Sequence, residues 1–143
     1  MSVKVDLDIL SSILSPSATL TIPDANFART YANWNNYNLK TPLAVVKPAI
    51  EADILATMAF AGVSSLQVSA RGGGHSSFNT VDGGIVIDLE GSYAAVTYDE
   101  ESKNITVQGG AKTGDVLAIL AKNNRCTSMP LWPHFFFARV SLC

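Results

Sequence analysis

The chain has 143 residues, 48% of them hydrophobic, with a formal net charge of -2. That is one domain's worth of chain, with enough apolar residues to bury a core. A pI near 5.5 and the absence of any basic cluster argue against nucleic acid or an anionic membrane surface as the main partner.

Residues 1–40 read as a lead-in. Ser15-Pro16-Ser17 and Pro23-Asp24 are turn chemistry, and the first thirty residues hold no compact apolar run ending in a small-residue cleavage site. The segment Tyr31 to Asn38 is rich in aromatics and amides, and Trp34 with its two neighbouring tyrosines is expected to pack on the domain that follows. The longest mostly apolar uncharged run, Ile54 to Ala70, is interrupted by Gly62, Ser64, Ser65 and Gln67. It reads as helix, turn and strand rather than as a membrane span. The cellular compartment stays open.

Regular structure is expected from Thr41. Leu43-Ala44-Val45-Val46 reads as a short buried strand closed by Lys47-Pro48. Ile50, Ile54, Leu55 and Met58 recur at helical spacing, with Glu51 and Asp53 in the first turn, where the helix dipole favours them, and Gly62 as the terminator. Leu66, Val68 and Ala70 alternate with Gln67, Ser69 and Arg71, which predicts a strand. A further strand, Ile85 to Leu89, follows Gly83-Gly84. Ala94-Val96-Tyr98 and Ile105-Val107 flank a polar turn and predict a hairpin. A second helix is expected from Thr113, as N-cap, through Val116, Leu117, Leu120 and Ala121, ending at Asn123-Asn124. The sum is an α+β fold, with small mixed β-sheets and flanking helices.

The candidate site is the junction Arg71-Gly72-Gly73-Gly74-His75-Ser76-Ser77. Three consecutive glycines are conformationally costly, so the backbone there must bend sharply or approach something closely. Successive N–H groups of such a turn can converge on an anion. The stretch lacks the Gly-Lys-Ser/Thr ending of a P-loop, and a strand follows where a dinucleotide fingerprint needs a helix. Taken on spacing alone, the glycines could equally make a tight connection between strands, and a lone histidine is more often structural than reactive. No cluster has metal-ligand spacing: His75 and His134 are the only imidazoles, and neither Cys126 nor Cys143 belongs to a Cys-x-x-Cys. Ser76 and Ser77 lack the Gly-x-Ser-x-Gly elbow of a hydrolase.

At these residues the chain resembles a known family. The six-residue loop Arg71 to Ser76, with Pro42 to Pro48 before it and Gly84 to Leu89 after it, resembles the FAD-binding PCMH-type domain of the vanillyl-alcohol oxidase superfamily. The likeness is greatest to berberine-bridge-enzyme-like, oxygen-dependent FAD-linked oxidoreductases. Trp34-Asn35 and Gln108 to Val116 fit the same pattern, and the resemblance covers about residues 27 to 131. It implies a partial FAD-binding domain over residues 41–131. It also implies FAD held at Arg71, Gly72, Gly73, Gly74, His75, Ser76 and Ser77, with the pyrophosphate on the loop backbone and His75 joined covalently to the flavin 8α-methyl group. Arg71 is either a phosphate contact or a structural salt bridge.

The pattern departs at Trp132-Pro133-His134, where the family carries Gly-x-Cys, the cysteine that makes a second flavin link in doubly linked members. Residues 132–143, with Phe135-Phe136-Phe137, read as an aberrant hydrophobic tail on a truncated chain. None of the four tyrosines matches the family's general base. The expected function is the FAD-binding portion of an oxidase of alcohols, sugars or similar small molecules, inactive at this length and meeting its substrate only in a full-length form. The alternatives are a non-catalytic flavin- or nucleotide-binding fragment and a folded interaction remnant.

Overall fold

The computed structural model describes residues 5–24, 39–76 and 79–127. The aromatic segment around Trp34, the second serine after His75 (Ser77) and the tail from Trp132 onward lie outside those residues. In chain order the elements are α1 (Leu7–Ile13), β1 (Thr19–Thr21), β2 (Ala44–Lys47), α2 (Glu51–Val63), β3 (Val68–Arg71), β4 (Ile85–Asp88), β5 (Val96–Asp99), β6 (Asn104–Val107) and α3 (Thr113–Lys122).

The larger sheet runs in the order β1-β2-β4-β3. β2, β4 and β3 are parallel, with Ala44 and Val68 both opposite Ile85, and β1 joins β2 antiparallel. Two apolar runs, Ala44-Val45-Val46 and Ile85-Val86-Ile87, supply the buried centre, as expected for parallel strands covered on both faces. Val46 and Ile85 pack with Leu10 and Ala61 on the helical face, while Val45 and Val86 pack with Val81 on the other. A second unit is the β5–β6 hairpin, whose Ile105 packs on Val116 and Leu120 of α3. The α+β class holds.

Five local expectations change. The lead-in contributes α1 and the edge strand β1 to the main sheet. Gly62 lies inside α2, which runs on to Val63. The buried row of α2 is Asp53, Thr57 and Ala61, while Leu55 and Met58 face outward. Asp53 is drawn inward because its carboxylate accepts N–H bonds from Ser15, Ala49 and Ile50. Val68 and Ala70 are exposed although the alternation put them inside, because β3 is an edge strand and α2 packs over β4. At α3 the N-cap is Lys112 rather than Thr113; the Lys112 N–H donates to the Asp115 carboxylate at 2.9 Å.

Candidate functional site

All three parallel strands end at one rim, and the loop of interest leaves from it. Such rims are where open α/β sheets take ligands, because the loops there are free to diverge. Arg71 closes β3 directly opposite Asp88, the last residue of β4, and the ladder runs one bond further as the Leu89 N–H donates to the Arg71 carbonyl at 2.8 Å. The chain then enters the glycines. Gly74 is buried and has φ +69, in the left-handed region where a Cβ is strained. Gly72, Gly73 and His75 are half-buried and Ser76 is exposed. The Asn79 N–H donates to the Ser76 carbonyl at 3.3 Å, closing the far side of the loop, and Asn79 to Val81 turn back into the interior.

Arg71 is 4% exposed, and its Nη1 donates to Asp88 Oδ1 at 2.9 Å and to Glu90 Oε2 at 2.8 Å. Asp88 is 1% exposed and also pairs with Lys47 at 3.6 Å, across the strand on its other side. The Glu90 Oε1 meets Lys112 Nζ at 3.1 Å. Burial pulls the Glu90 carboxyl upward, but the Lys112 hydrogen bond and the charges of Arg71 and Lys112 outweigh it and hold it below the usual carboxylate range. The structure thus brings Arg71, Gly72, Gly73, Gly74, His75 and Ser76 together on one rim and gives Arg71 a structural ion pair.

Lys47, Asp88, Glu90 and Lys112 were not singled out from sequence, although a signal existed. Two strands of one parallel sheet, Val68 to Arg71 and Ile85 to Asp88, each end on a charge, and the charges are opposite.

The rim fits the pyrophosphate of a dinucleotide. Gly72 to Gly74 carry no side chain that could stand between their backbone and an anion, and the left-handed turn at Gly74 is of the kind that converges N–H groups. A half-buried imidazole, His75, follows immediately.

Residues 42–132 match the FAD binding domain family. The FAD-linked oxidoreductase hasG of Aspergillus fumigatus is 38% identical over 108 residues, which are 74% of this chain and 23% of that protein. Among solved structures, xylooligosaccharide oxidase from Myceliophthora thermophila C1 superposes with a TM-score of 0.71 at 27% identity, over 86% of this chain and 26% of that one. The berberine-bridge-enzyme-like protein 1 of Physcomitrella patens gives 0.65 at 25% identity, over 82% and 25%. The chain therefore spans about a quarter of the length of these relatives. The matched stretch contains β2, the glycine loop, β4, the hairpin and α3, and by that match the chain belongs to the FAD-binding domain family, in the PCMH-type fold of FAD-linked, berberine-bridge-enzyme-like oxidoreductases.

Proposed function

We propose that this chain is the cofactor-holding part of an oxidoreductase that oxidises an alcohol, sugar or similar small molecule with oxygen as acceptor. The observation that carries the reading is the position of the glycine loop. It leaves the carboxyl end of a parallel strand, turns left-handed at Gly74 and delivers His75 half-buried beside it.

In this reading the backbone N–H groups from Gly72 to Ser76 hold the FAD pyrophosphate, bounded by Arg71 on one side and Ser77 on the other. His75 is the covalent anchor, through an imidazole nitrogen and the flavin 8α-methyl carbon. Bound flavin supplies the two-electron acceptor for removing a hydride from a substrate carbon, while the protein orients it. A sugar substrate is supported by the similarity to xylooligosaccharide oxidase. The substrate pocket and the base are assigned to a longer form, since the matched relatives are about four times the length of this chain.

Purified protein tests the reading through its colour. The expected result is a yellow protein whose colour survives acid precipitation in the wild type and is lost to the supernatant in His75→Ala. Colour that acid releases from both proteins would support FAD binding and refute the covalent link. A colourless protein that takes up no added FAD would favour the interaction remnant.

A further inference from the structure

Five charged side chains follow one another along the rim with alternating sign: Lys47, Asp88, Arg71, Glu90 and Lys112. The middle of the line is buried and its two lysine ends are half-exposed. Arg71 Nη1 faces a carboxylate on each side within 3 Å, so its nearest charges are both negative. A guanidinium so neutralised projects little attraction toward a further anion. Its geometry suits holding a backbone in place better than gripping a phosphate.

Glu90 occupies the second junction. One of its oxygens takes Arg71, the residue before the glycines, and the other takes Lys112, the residue before α3. Lys112 is itself fixed through its N–H to Asp115 in the first turn of that helix. A single carboxylate therefore joins the departure point of the loop to the start of the helix from the other structural unit.

We propose that Glu90 is a positioning residue for the anion-holding loop, fixing Arg71, and with it Gly72 to Gly74, against Lys112 while the phosphate is left to backbone N–H groups. The inference rests on the reading of Gly72 to Ser76 as the pyrophosphate site. The rival arrangement makes Arg71 and Lys112 direct phosphate ligands, and it predicts the opposite sign for one substitution. Neutralising Glu90 releases two cations: direct ligands would then bind FAD more tightly, whereas a loosened loop binds it more weakly.

The experiment compares the 143-residue wild type with Glu90→Gln, Lys112→Gln and the double variant. FAD affinity is read by flavin fluorescence titration, and amide hydrogen exchange at Gly72–Gly74 is read without ligand, with the Ile85–Ile87 amides of the central strand as reference. Glu90→Gln removes the pairs to both Arg71 and Lys112 and is expected to weaken FAD about fivefold, the order of magnitude of part-exposed ion pairing. It is also expected to speed exchange at the glycines about threefold with the reference amides unchanged, a local rather than global loosening. Lys112→Gln leaves the Arg71–Glu90 bond in place and should weaken FAD by less, and the double variant should be no worse than Glu90→Gln alone, which already removes the Lys112 pair. FAD binding that is unchanged or tighter in Glu90→Gln overturns the proposal. If the wild type takes up no FAD, the proposed function falls separately, and exchange at Gly72–Gly74 decides alone: faster exchange upholds the positioning role and unchanged exchange overturns it.

Discussion

Asp53 is 2% exposed, yet its carboxylate accepts four hydrogen bonds. It accepts from the Ser15 N–H at 2.7 Å, the Ser15 hydroxyl at 2.9 Å, the Ala49 N–H at 2.9 Å and the Ile50 N–H at 3.0 Å. Two of these donors are orphan N–H groups at the start of α2, and the other two belong to the segment joining α1 to β1. One side chain thus caps a helix and ties the lead-in to α2. Burial pulls its pKa upward, but the Ser15, Ile50 and Ala49 N–H groups and the Ser15 hydroxyl prevail and hold it below the usual carboxylate value. Truncation to Ala leaves those part-buried N–H groups without their acceptor, so Asp53→Ala should cost about 3 kcal/mol in urea unfolding. The pH dependence follows from the sign of the shift. A carboxylate with a depressed folded pKa contributes in full above its unfolded value and loses that contribution as pH falls through the folded one. The stability gap between wild type and Asp53→Ala should therefore be constant near neutrality and shrink below about pH 4. A gap that persisted unchanged into acid would show that the ionised carboxylate is not what holds the lead-in.

Both longer helices stop in the same way, and neither uses glycine to do it. After α2, Ser65 has φ +54; its N–H donates to the Gly62 carbonyl, and the Leu66 N–H donates to Ala61. After α3, Asn124 has φ +53 and makes the matching bond to Ala121, with Arg125 donating to Leu120. These are Schellman ends, whose left-handed position favours Gly or Asn. The glycine that sequence offers as terminator, Gly62, sits three residues too early, inside the helix, with nothing within 4 Å of where a Cβ would stand. Gly62→Ala should therefore stabilise the chain by about 0.5–1 kcal/mol, since it removes a helix-interior glycine at no steric expense. Ser65→Gly should add about 0.5 kcal/mol, the relief of left-handed strain less the extra freedom of the unfolded chain. Thermal unfolding of the two single variants and the pair checks both. The same elements show what the sequence made legible. β2 and β4 were readable because strands buried on both faces leave unbroken apolar runs. The end of α3 was readable because Asn123-Asn124 carries its own conformational bias. The buried side of α2 was not, because the helix is apolar nearly all round and a tertiary hydrogen-bond acceptor, Asp53, set its rotation. At the site, the loop and His75 stood out by composition. The charged line beside them did not, since its members are up to 65 positions apart in sequence, from Lys47 to Lys112, and meet only through strand register.

The two structural units divide the labour of the molecule. The parallel sheet supplies a rim from which the glycine loop departs, and the hairpin with α3 stands against that rim through the Glu90–Lys112 pair. Chain direction then places the end of α2 away from the loop. β2 runs toward the rim, α2 runs back from it and β3 returns, so Val63 at the end of α2 lies at the amino end of β3, away from the loop. That helix exposes Leu55 at 61%, Met58 at 55% and Val63 at 91%. α1 adds exposed Ile9 and Ile13. A helix apolar on its outer as well as its inner side is normally covered, and uncovered apolar surface draws chains together. The isolated 143-residue chain should accordingly self-associate as its concentration rises. Replacing the three outer side chains together, as Leu55→Glu, Met58→Lys and Val63→Lys, should lower that association and reduce binding of a hydrophobic dye. Glu and Lys are good helix formers and the three positions bury little, so unfolding stability should shift by no more than about 0.5 kcal/mol. FAD affinity should not change, because the three side chains are exposed on α2 whereas the loop leaves from β3. Light scattering and flavin titration on one sample read both consequences. Association that persists in the triple variant would place the adhesive surface elsewhere, and a loss of FAD affinity would mean that this face and the rim are coupled through the sheet.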